Sequence, residues 1–241
     1  MRIVERDEWA AIAASPTPVH VGCILDGNGR WAEMRNEHRT QGHDAGGEAL
    51  REAIRTSLEV SFETLAVYAF SYQNWNRDPD EVSHLMAFYN WLITEEDLAR
   101  YERDGVRIEF FGDLDDSRLP QQTLNWIDTC EQRTKHGRAL HLVVVFNAND
   151  GLLDRAADLP QLDLLIRTGG DARLSSFLPL NTQYAELVFM DTLWPDFRQG
   201  HMMSAIHEYQ SRSRRFGEAH SFPLLRRNIA TLGIHPVSNS W

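Results

Sequence analysis

The segment VHVGCILDGNGRW, residues 19–31, joins a short apolar run to a glycine-rich polar turn. Val19–Leu25 is rich in β-branched and apolar residues and stops at Asp26, which predicts a buried strand that ends there. Ligands of parallel sheets bind at the carboxyl ends of strands, and glycines let backbone N–H groups approach an anion closely. Asp26 offers a hard oxygen ligand, and Arg30 offers a guanidinium group. The segment therefore fits a site for an anion with Mg²⁺, and it fits a plain tight turn equally well.

Outward from this segment, strand-like and helix-like patterns alternate along the chain. They predict an α/β fold, a single domain with a central, mostly parallel β-sheet flanked by helices. The predicted strands are Val19–Leu25, Thr64–Phe70, Val106–Phe111, Leu140–Phe146, Asp163–Arg167 and Ala185–Met190. The predicted helices are Gly42–Val60, one long helix from Pro79 to about Tyr101, Pro120–Thr134 and Gly200–Phe216. Residues 1–17 form an N-terminal segment, residues 18–217 the domain itself, and residues 218–241 a C-terminal tail.

Composition narrows the class of partner. The chain has 241 residues, 42% of them hydrophobic, and a net charge of −11, which argues against a general nucleic-acid or membrane-surface binder. Lys135 is the only lysine, so the other basic side chains apart from histidine are arginines. This bias is explained either by a phosphate site or by the codon usage of a GC-rich genome. Cys23 and Cys130 lie in apolar patterns without a disulfide framework, no run reaches membrane-spanning length, and Met1–Ala14 lacks a signal-peptide pattern. We therefore expect a cytoplasmic protein without stable membrane insertion.

Three further motifs carry chemically useful groups. In Leu164–Ser175 a predicted strand ends on Arg167, and a Gly-Gly turn leads to Arg173 and Ser175, which together offer two guanidinium groups and a hydroxyl to one anion. Glu186 begins an apolar strand, so its carboxylate needs a cationic or metal partner. Ser71–Arg77 is a polar loop after a buried strand, a placement typical of loops that fold over substrates and also of plain connectors.

Taken together, these motifs resemble the cis-prenyltransferases, the family of undecaprenyl diphosphate synthase. The resemblance runs from about His20 to Gly217. It is carried by the stretches His20–Gly46, Tyr68–Pro79, Asp163–Ser175, Tyr184–Phe197 and Arg212–Gly217.

The resemblance implies a Mg²⁺-dependent homodimeric enzyme that joins two prenyl diphosphates. It implies that Asp26 and Glu186 hold Mg²⁺, and it assigns catalytic roles to Asp26, Asn28, His43 and Asn74. By the same resemblance the allylic diphosphate is bound by Gly27, Gly29, Arg30, Trp31 and Arg39, and the mobile loop contributes Ser71, Trp75 and Arg77. The second substrate is gripped by Arg167, Arg173 and Ser175.

The sequence departs from the family pattern in three places. Tyr72-Gln73 replaces the middle pair of the loop, so a glutamate charge is lost. The chain runs from Asn147–Gly151 almost directly to Asp163, so much of the helical segment that the family has at this point is missing. Ser176–Leu180 differs from the usual continuation of the second motif and is similar to the irregular members, the cyclolavandulyl and isosesquilavandulyl diphosphate synthases, which join allylic diphosphates head-to-middle.

Three hypotheses follow from these departures. The first is a head-to-middle synthase that uses dimethylallyl diphosphate with dimethylallyl or geranyl diphosphate, and whose short product is limited by Phe88 or Trp91. The second is a head-to-tail synthase that uses isopentenyl diphosphate and makes a short Z-prenyl diphosphate. The third is a non-catalytic partner subunit, which the intact Asp26–Arg30 loop argues against.

Overall fold

A six-stranded parallel sheet forms the centre of the structure, a computed structural model that describes residues 2–149 and 152–212. The strands are β1 His20–Ile24, β2 Thr64–Ser71, β3 Val106–Phe111, β4 Leu140–Ala148, β5 Leu164–Arg167 and β6 Glu186–Phe189. Their order is β3-β4-β2-β1-β5-β6, and every neighbouring pair is parallel. The predicted α/β class and the six predicted strands are confirmed. The carboxyl ends of β1, β2 and β5 therefore lie side by side at one edge of the sheet.

Helices and loops cover both faces of this sheet. The helices are α1 Trp9–Ala13, α2 Asn28–Glu33, α3 Arg39–Glu59, α4 Pro79–Met86, α5 Glu95–Arg103, α6 Gln121–Thr134, α7 Leu153–Ala156 and α8 Gln199–Ser211. Alternate strand residues belong to two separate core clusters, as the period of two requires: Val67 contributes to one and Ala66 to the other. The sheet is thus buried on both faces, and its strands are continuous apolar runs.

The single long helix predicted from Pro79 to Tyr101 is wrong. Helix α4 ends at Met86, a short 3₁₀ turn covers Phe88–Asn90, and α5 begins at Glu95. The cause is a capping box: Thr94 accepts a hydrogen bond from the Asp97 backbone N–H, and the Asp97 carboxylate accepts one from the Thr94 N–H. Arg51 of α3 holds the buried Asp97 in place through contacts of 2.8 and 2.9 Å. A tertiary ion pair thus decides where the second helix starts.

The connection between β4 and β5 is short, as the sequence predicts. Its only helix in the described residues is α7, with four residues. The side-chain amide of Asn181, fully buried, donates 2.9 Å hydrogen bonds to the carbonyls of Ala156 and Leu159. The segment after Ser175 is thereby tied to this connection and covers the face of the sheet beside it, with Phe177 and Leu178 in the core.

The remaining predictions concern boundaries, membranes and cysteines. The predicted helix Gly200–Phe216 is present as α8 up to Ser211, whereas its last part, the boundary at residue 217 and the tail lie outside the described residues. Within those residues no helix is long and apolar enough to cross a membrane. Cys23 and Cys130 are buried, and burial raises the pKa of each thiol to about 12, so neither is a reactive thiolate.

Candidate active site

The turn after β1 places Asp26 at the carboxyl edge of the sheet. Gly27 has a φ of +113°, and a Cβ at this position would lie 2.8 to 3.0 Å from atoms of Leu193, so only glycine fits here. Because the turn is so tight, α2 begins directly at Asn28. The predicted buried strand followed by a glycine turn is present, and the side chain of Asp26 faces a cavity.

Two guanidinium groups hold the Asp26 carboxylate. Nη2 of Arg30 donates to Oδ1 at 3.0 Å, and Nη2 of Arg167 donates to Oδ2 at 2.8 Å. Burial raises the pKa of Asp26, but the hydrogen bond and charge of Arg167, followed by those of Arg30, outweigh it and leave the pKa below its usual value. Asp26 is therefore ionised at neutral pH.

Arg167 connects the two predicted anion-binding motifs. It is 3% exposed, ends β5 beside β1, and its Nη1 donates to the Ser175 hydroxyl at 2.9 Å and to the carbonyl of Arg173. Its Nε is buried and has no hydrogen-bond partner in the described residues. A buried donor without a partner is costly, and a ligand oxygen in the cavity would satisfy it.

A cavity of about 470 Å³ adjoins these groups. Nine of the predicted site residues line it: Asp26, Asn28, His43, Ser71, Asn74, Arg77, Arg167, Arg173 and Ser175. The sequence analysis did not assign several other lining residues to the site, among them Tyr68, Gly46, Leu85, Leu92, Ser176 and Trp194. The cavity thus combines cationic and hydroxyl groups with an apolar lining, the composition expected for an amphiphilic anionic ligand.

Glu81 is a site residue that sequence reasoning missed. Its carboxylate, 4% exposed, accepts hydrogen bonds from Arg39 Nε at 2.8 Å, His43 Nε2 at 3.0 Å and Arg77 Nη1 at 2.7 Å. Burial raises the pKa of Glu81, but the hydrogen bonds from His43 and Arg39 outweigh it and leave the pKa far below its usual value. Its position four residues after Arg77, in the first turn of the predicted helix, was the one available signal.

His43 belongs to the same cluster, and burial keeps its ring neutral. Burial lowers its pKa more than the hydrogen bond to Glu81 raises it, and the charge of Arg77 lowers it further. A carboxylate can only accept, so the neutral ring carries its proton on Nε2 and donates it to Glu81. The tautomer of a cavity-lining histidine is thereby fixed.

Other predicted residues lie beside the cavity and support it. Nη1 of Arg30 donates to the carbonyl of Gly169 at 2.7 Å. Gly29 leaves room for Arg39, since a Cβ there would come within 2.2 Å of the guanidinium carbon. The Trp75 indole donates to Asn147 at 2.8 Å, outside the cavity lining.

Two predicted residues are placed elsewhere. The indole of Trp31 donates to Asp196 at 2.7 Å and lies under the guanidinium of Arg35 at 3.8 Å, so it joins two surface segments and does not line the cavity. Glu186 pairs with Leu164, the first residue of β5, whereas Arg167 at the other end faces Asp26.

The strand register fixes where Glu186 lies relative to Asp26 within one chain. The three residue steps from Leu164 to Arg167 put Glu186 about 10 Å along the sheet from the edge that carries Asp26. The structure therefore does not bring the two carboxylates together within one chain, because Asp26 follows the carboxyl end of β1 whereas Glu186 begins β6, on the far side of β5. In the described residues no group of three or more His, Cys, Asp or Glu side chains could hold a metal ion.

Comparisons with known proteins show the family of the chain. A family model described as "Putative undecaprenyl diphosphate synthase" matches residues 24–151 and 147–217. The "Isoprenyl transferase" of Chlorobaculum tepidum is 33% identical over 231 residues, which cover 83% of this chain and 86% of that protein. The "Trans,polycis-polyprenyl diphosphate synthase ((2Z,6E)-farnesyl diphosphate specific)" of Thermobifida fusca is 37% identical over 242 residues, covering 86% and 83%.

Solved structures show the same fold. Lavandulyl diphosphate synthase from Lavandula x intermedia, in complex with dimethylallyl diphosphate, superposes with a TM-score of 0.77 at 26% identity and covers 84% of this chain and 99% of its own. A "probable undecaprenyl diphosphate synthase" from Campylobacter jejuni gives a TM-score of 0.70 at 27% identity, covering 85% and 100%.

The glycine turn after β1, Arg167 at the end of β5 and the matching family model together define a class of enzyme. The chain belongs to the cis-prenyltransferase family. It is a prenyltransferase of the prenyl diphosphate synthase type. This class speaks against the hypothesis of a non-catalytic partner subunit. The homodimer and the cellular compartment stay predictions.

Proposed function

We propose that the protein is a Mg²⁺-dependent synthase that joins two short prenyl diphosphates head-to-middle, with dimethylallyl diphosphate as the second substrate. The observation that carries the proposal is one cavity in which Asp26, Arg167 and Ser175 adjoin an apolar lining that includes Leu85 and Trp91. Guanidinium groups suit a diphosphate, and an apolar lining of this size suits a short isoprenoid chain.

Asp26 fits the role of the metal-binding carboxylate. It is ionised, lines the cavity, and keeps lone pairs beyond the two that accept from Arg30 and Arg167. Mg²⁺ is commonly held by one or two carboxylates together with substrate phosphates, so a second protein carboxylate is not required. When bound, Mg²⁺ would neutralise charge that develops on the departing diphosphate.

The chain's own residues account for the rest of the chemistry. The C1–O bond of the donor breaks and its electron pair leaves with the diphosphate, whose charge the Arg30 guanidinium beside Asp26 stabilises. Arg167 and Arg173 hold the diphosphate of the second substrate. The C2 atom of dimethylallyl diphosphate bonds to C1 of the donor, and a methyl group beside the resulting cation loses a proton. The second diphosphate is retained in the branched product. The apolar lining around Trp91 keeps water away from the cation.

The cavity positions that depart from the family pattern support the head-to-middle reaction. Gln73 and Ser176, two positions at which the sequence departs from the family pattern, both line the cavity. Gln73 leaves a neutral amide beside Asn74. Lavandulyl diphosphate synthase, whose structure holds dimethylallyl diphosphate, has a similar fold at a TM-score of 0.77.

The segment around Trp91 supports a short product. Its indole donates to the carbonyl of His84 at 3.2 Å and stacks on that imidazole at 5.8 Å, and its own carbonyl accepts from Arg51 at 3.3 Å. A large ring held by two contacts, on a backbone that Arg51 also holds, resists displacement by a growing chain. Phe88, the other candidate, is 1% exposed in the core and does not line the cavity.

A head-to-tail synthase that uses isopentenyl diphosphate is the second candidate. The sequence relatives favour it, since proteins named isoprenyl transferase or polyprenyl diphosphate synthase are 33% and 37% identical to the chain.

Incubation with defined substrates separates the two reactions. The purified protein is given Mg²⁺ and dimethylallyl diphosphate, alone or with geranyl diphosphate, each with and without isopentenyl diphosphate. Products are dephosphorylated and their carbon skeletons identified by gas chromatography with mass spectrometry. We expect branched lavandulyl-type alcohols without isopentenyl diphosphate. Linear products that form only when isopentenyl diphosphate is present would overturn the head-to-middle proposal.

A further inference from the structure

The Ser71–Arg77 turn has a second face that does not meet the cavity. Ser71, Gln73 and Asn74 line the cavity, whereas Tyr72 and Trp75 do not. Both rings instead contact one guanidinium group: the Cζ atom of Arg118 lies 4.7 Å from the ring centre of Tyr72 and 4.4 Å from that of Trp75. These distances are typical of cation–π interactions, and one cation serves two rings.

Arg118 belongs to a group of three residues, Asp116, Arg118 and Asn147, which we call the latch. Nε of Arg118 donates to the two carboxylate oxygens of Asp116 at 2.9 and 3.1 Å, and its backbone N–H donates to the same carboxylate at 3.0 Å. Nδ2 of Asn147 donates to Asp116 at 3.1 Å. The side chain of Asp116 is 8% exposed, and Asn147 is fully buried.

The latch closes a ring of contacts around Trp75. The indole N–H of Trp75 donates to Oδ1 of Asn147 at 2.8 Å, Asn147 holds Asp116, Asp116 holds Arg118, and Arg118 lies over the indole. The Trp75 ring also packs edge-on against Phe70 at 5.2 Å. Since every member has at least two partners, the orientation of Trp75 is strongly fixed.

Fixing Trp75 also fixes the cavity face of the turn. The turn spans only five residues as a 3₁₀ helix, Tyr72–Asn76, so Trp75 and Asn74 move together. The backbone N–H of Ser71 donates to the Asn74 side chain at 2.9 Å, which sets the direction of that side chain relative to the turn.

We propose that Arg118 is a positioning residue for the reaction: it holds Tyr72 and Trp75 so that Gln73 and Asn74 stand correctly at the diphosphate end of the cavity. This inference rests on the proposed function, in which Asn74 acts on the bound substrates. Arg118 itself does not line the cavity. Displacement of a substrate-positioning group by about 1 Å costs up to about 100-fold in rate, so a residue outside the site can control turnover in this way.

A double-mutant cycle tests the proposal. kcat/KM is measured with the two prenyl diphosphates that the wild-type enzyme joins, for wild type, Arg118→Ala, Asn74→Ala and the double variant. We expect Arg118→Ala to lower kcat/KM about tenfold when Asn74 is present and less than about twofold in the Asn74→Ala background. The same factor in both backgrounds, or wild-type kcat/KM in Arg118→Ala, would overturn the inference.

Two further variants sharpen the test. Arg118→Lys keeps the charge beside Asp116 but loses the flat guanidinium, so it should lose nearly as much turnover as alanine. Full turnover in Arg118→Lys would contradict the stacking argument. Arg133, a surface arginine that pairs with Glu95 and Glu102, supplies the control, and Arg133→Ala should retain wild-type kcat/KM.

Failure of the proposed function gives a different result. In that case the wild-type protein gives no branched product, only linear products with isopentenyl diphosphate or none at all, whereas failure of the positioning role leaves an active wild type and an equally active Arg118→Ala. Thermal unfolding of each variant verifies folding, and little change is expected because the Arg118 side chain is 39% exposed.

Discussion

The carboxylate of Asp26 lies between two guanidinium groups, and its charge balances that of the buried Arg167. Arg167 is 3% exposed, and an arginine so buried requires an anionic neighbour. The same carboxylate lines the cavity. One residue therefore has a structural role toward the arginines and, in the proposed function, a metal-binding role toward the substrate.

Asp26→Asn separates these roles. The amide keeps the size and a hydrogen-bond acceptor for Arg167 but loses the charge that attracts a cation. We expect kcat to fall about 100-fold or more, with circular dichroism unchanged, because the carboxylate of Asp171, 3.5 Å from Arg167, still gives that guanidinium an anionic neighbour. The exposed Asp128→Asn on α6 is the matched control and should retain turnover. Turnover of Asp26→Asn within twofold of wild type would contradict the metal-binding role.

Trp91 and Phe88 allow a matched test of product length. Trp91 lines the cavity, whereas Phe88 lies in the core behind it, so Trp91→Leu should lengthen the accepted chain and Phe88→Leu should not. The measurement is the chain length of products by mass spectrometry, with geranyl diphosphate offered as donor. Longer products from Phe88→Leu alone would show that the limit lies elsewhere.

At the scale of elements, the crossing of α2 and α3 shapes the anion site. Gly42 of α3 faces α2 so closely that a Cβ there would lie 1.9 Å from the backbone oxygen of Asn28. Gly46, one turn later, faces the Asn28 side chain, and its carbonyl accepts from the Trp194 indole at 2.9 Å. Glycines thus let α3 approach the turn that carries Asp26.

Gly42→Ala should therefore destabilise the fold although alanine is the better helix former. The intrinsic gain of about 1 kcal/mol is smaller than the cost of separating two helices, about 1–3 kcal/mol or more for overpacking. Urea denaturation measures the difference. Gly200→Ala in α8 is the control, since its nearest foreign atom would be 3.3 Å away, and it should be close to neutral. Unchanged stability in Gly42→Ala would contradict the close crossing.

At the scale of the whole molecule, the Glu81 cluster ties helix α3 to the turn before α4. His43 is buried in it and faces Arg77, Glu81 and His84. Burial is the main reason that its pKa is lowered. In the unfolded chain a histidine titrates near its ordinary value, about 6.5. Global stability is therefore linked to pH through this residue.

The sign of that linkage follows from the lowered pKa. Above about pH 6.5 His43 is neutral in both states, and its contribution to stability is fully present. As the pH falls through 6.5 toward the lower pKa of the folded state, the unfolded chain binds a proton that the folded chain does not. The free energy of unfolding then decreases, by at most about 1.4 kcal/mol per pH unit for one proton.

Chemical denaturation between pH 5 and pH 8 measures this effect. We expect wild type to lose stability below about pH 6.5, and His43→Gln to lose less, because glutamine still donates to Glu81 but does not titrate. His207→Gln, at an exposed position, should follow the wild-type curve. Parallel curves for wild type and His43→Gln would refute the linkage.

Much of the fold was predictable because it depends on local patterns. Apolar runs such as that before Asp26 give strands, and β1, β3 and β6 lie within one or two residues of their predicted ends. The helix predicted from Pro79 failed because the apolar periodicity continues across the break. Its second half starts where Arg51, more than 40 residues away, pairs with Asp97. A distant ion pair leaves no periodic signal in the local sequence.

The candidate site shows the same division between local and distant information. The sequence by itself determined the strand, the tight Gly27 turn and the identity of Asp26 and Arg167, because composition and short-range sterics set these features. The tertiary structure alone decided that Glu81 gathers residues from α3 and the turn before α4, and that Glu186 lies away from Asp26. The physical reason is that strand register and helix crossing, which bring distant side chains together, depend on packing of the whole chain.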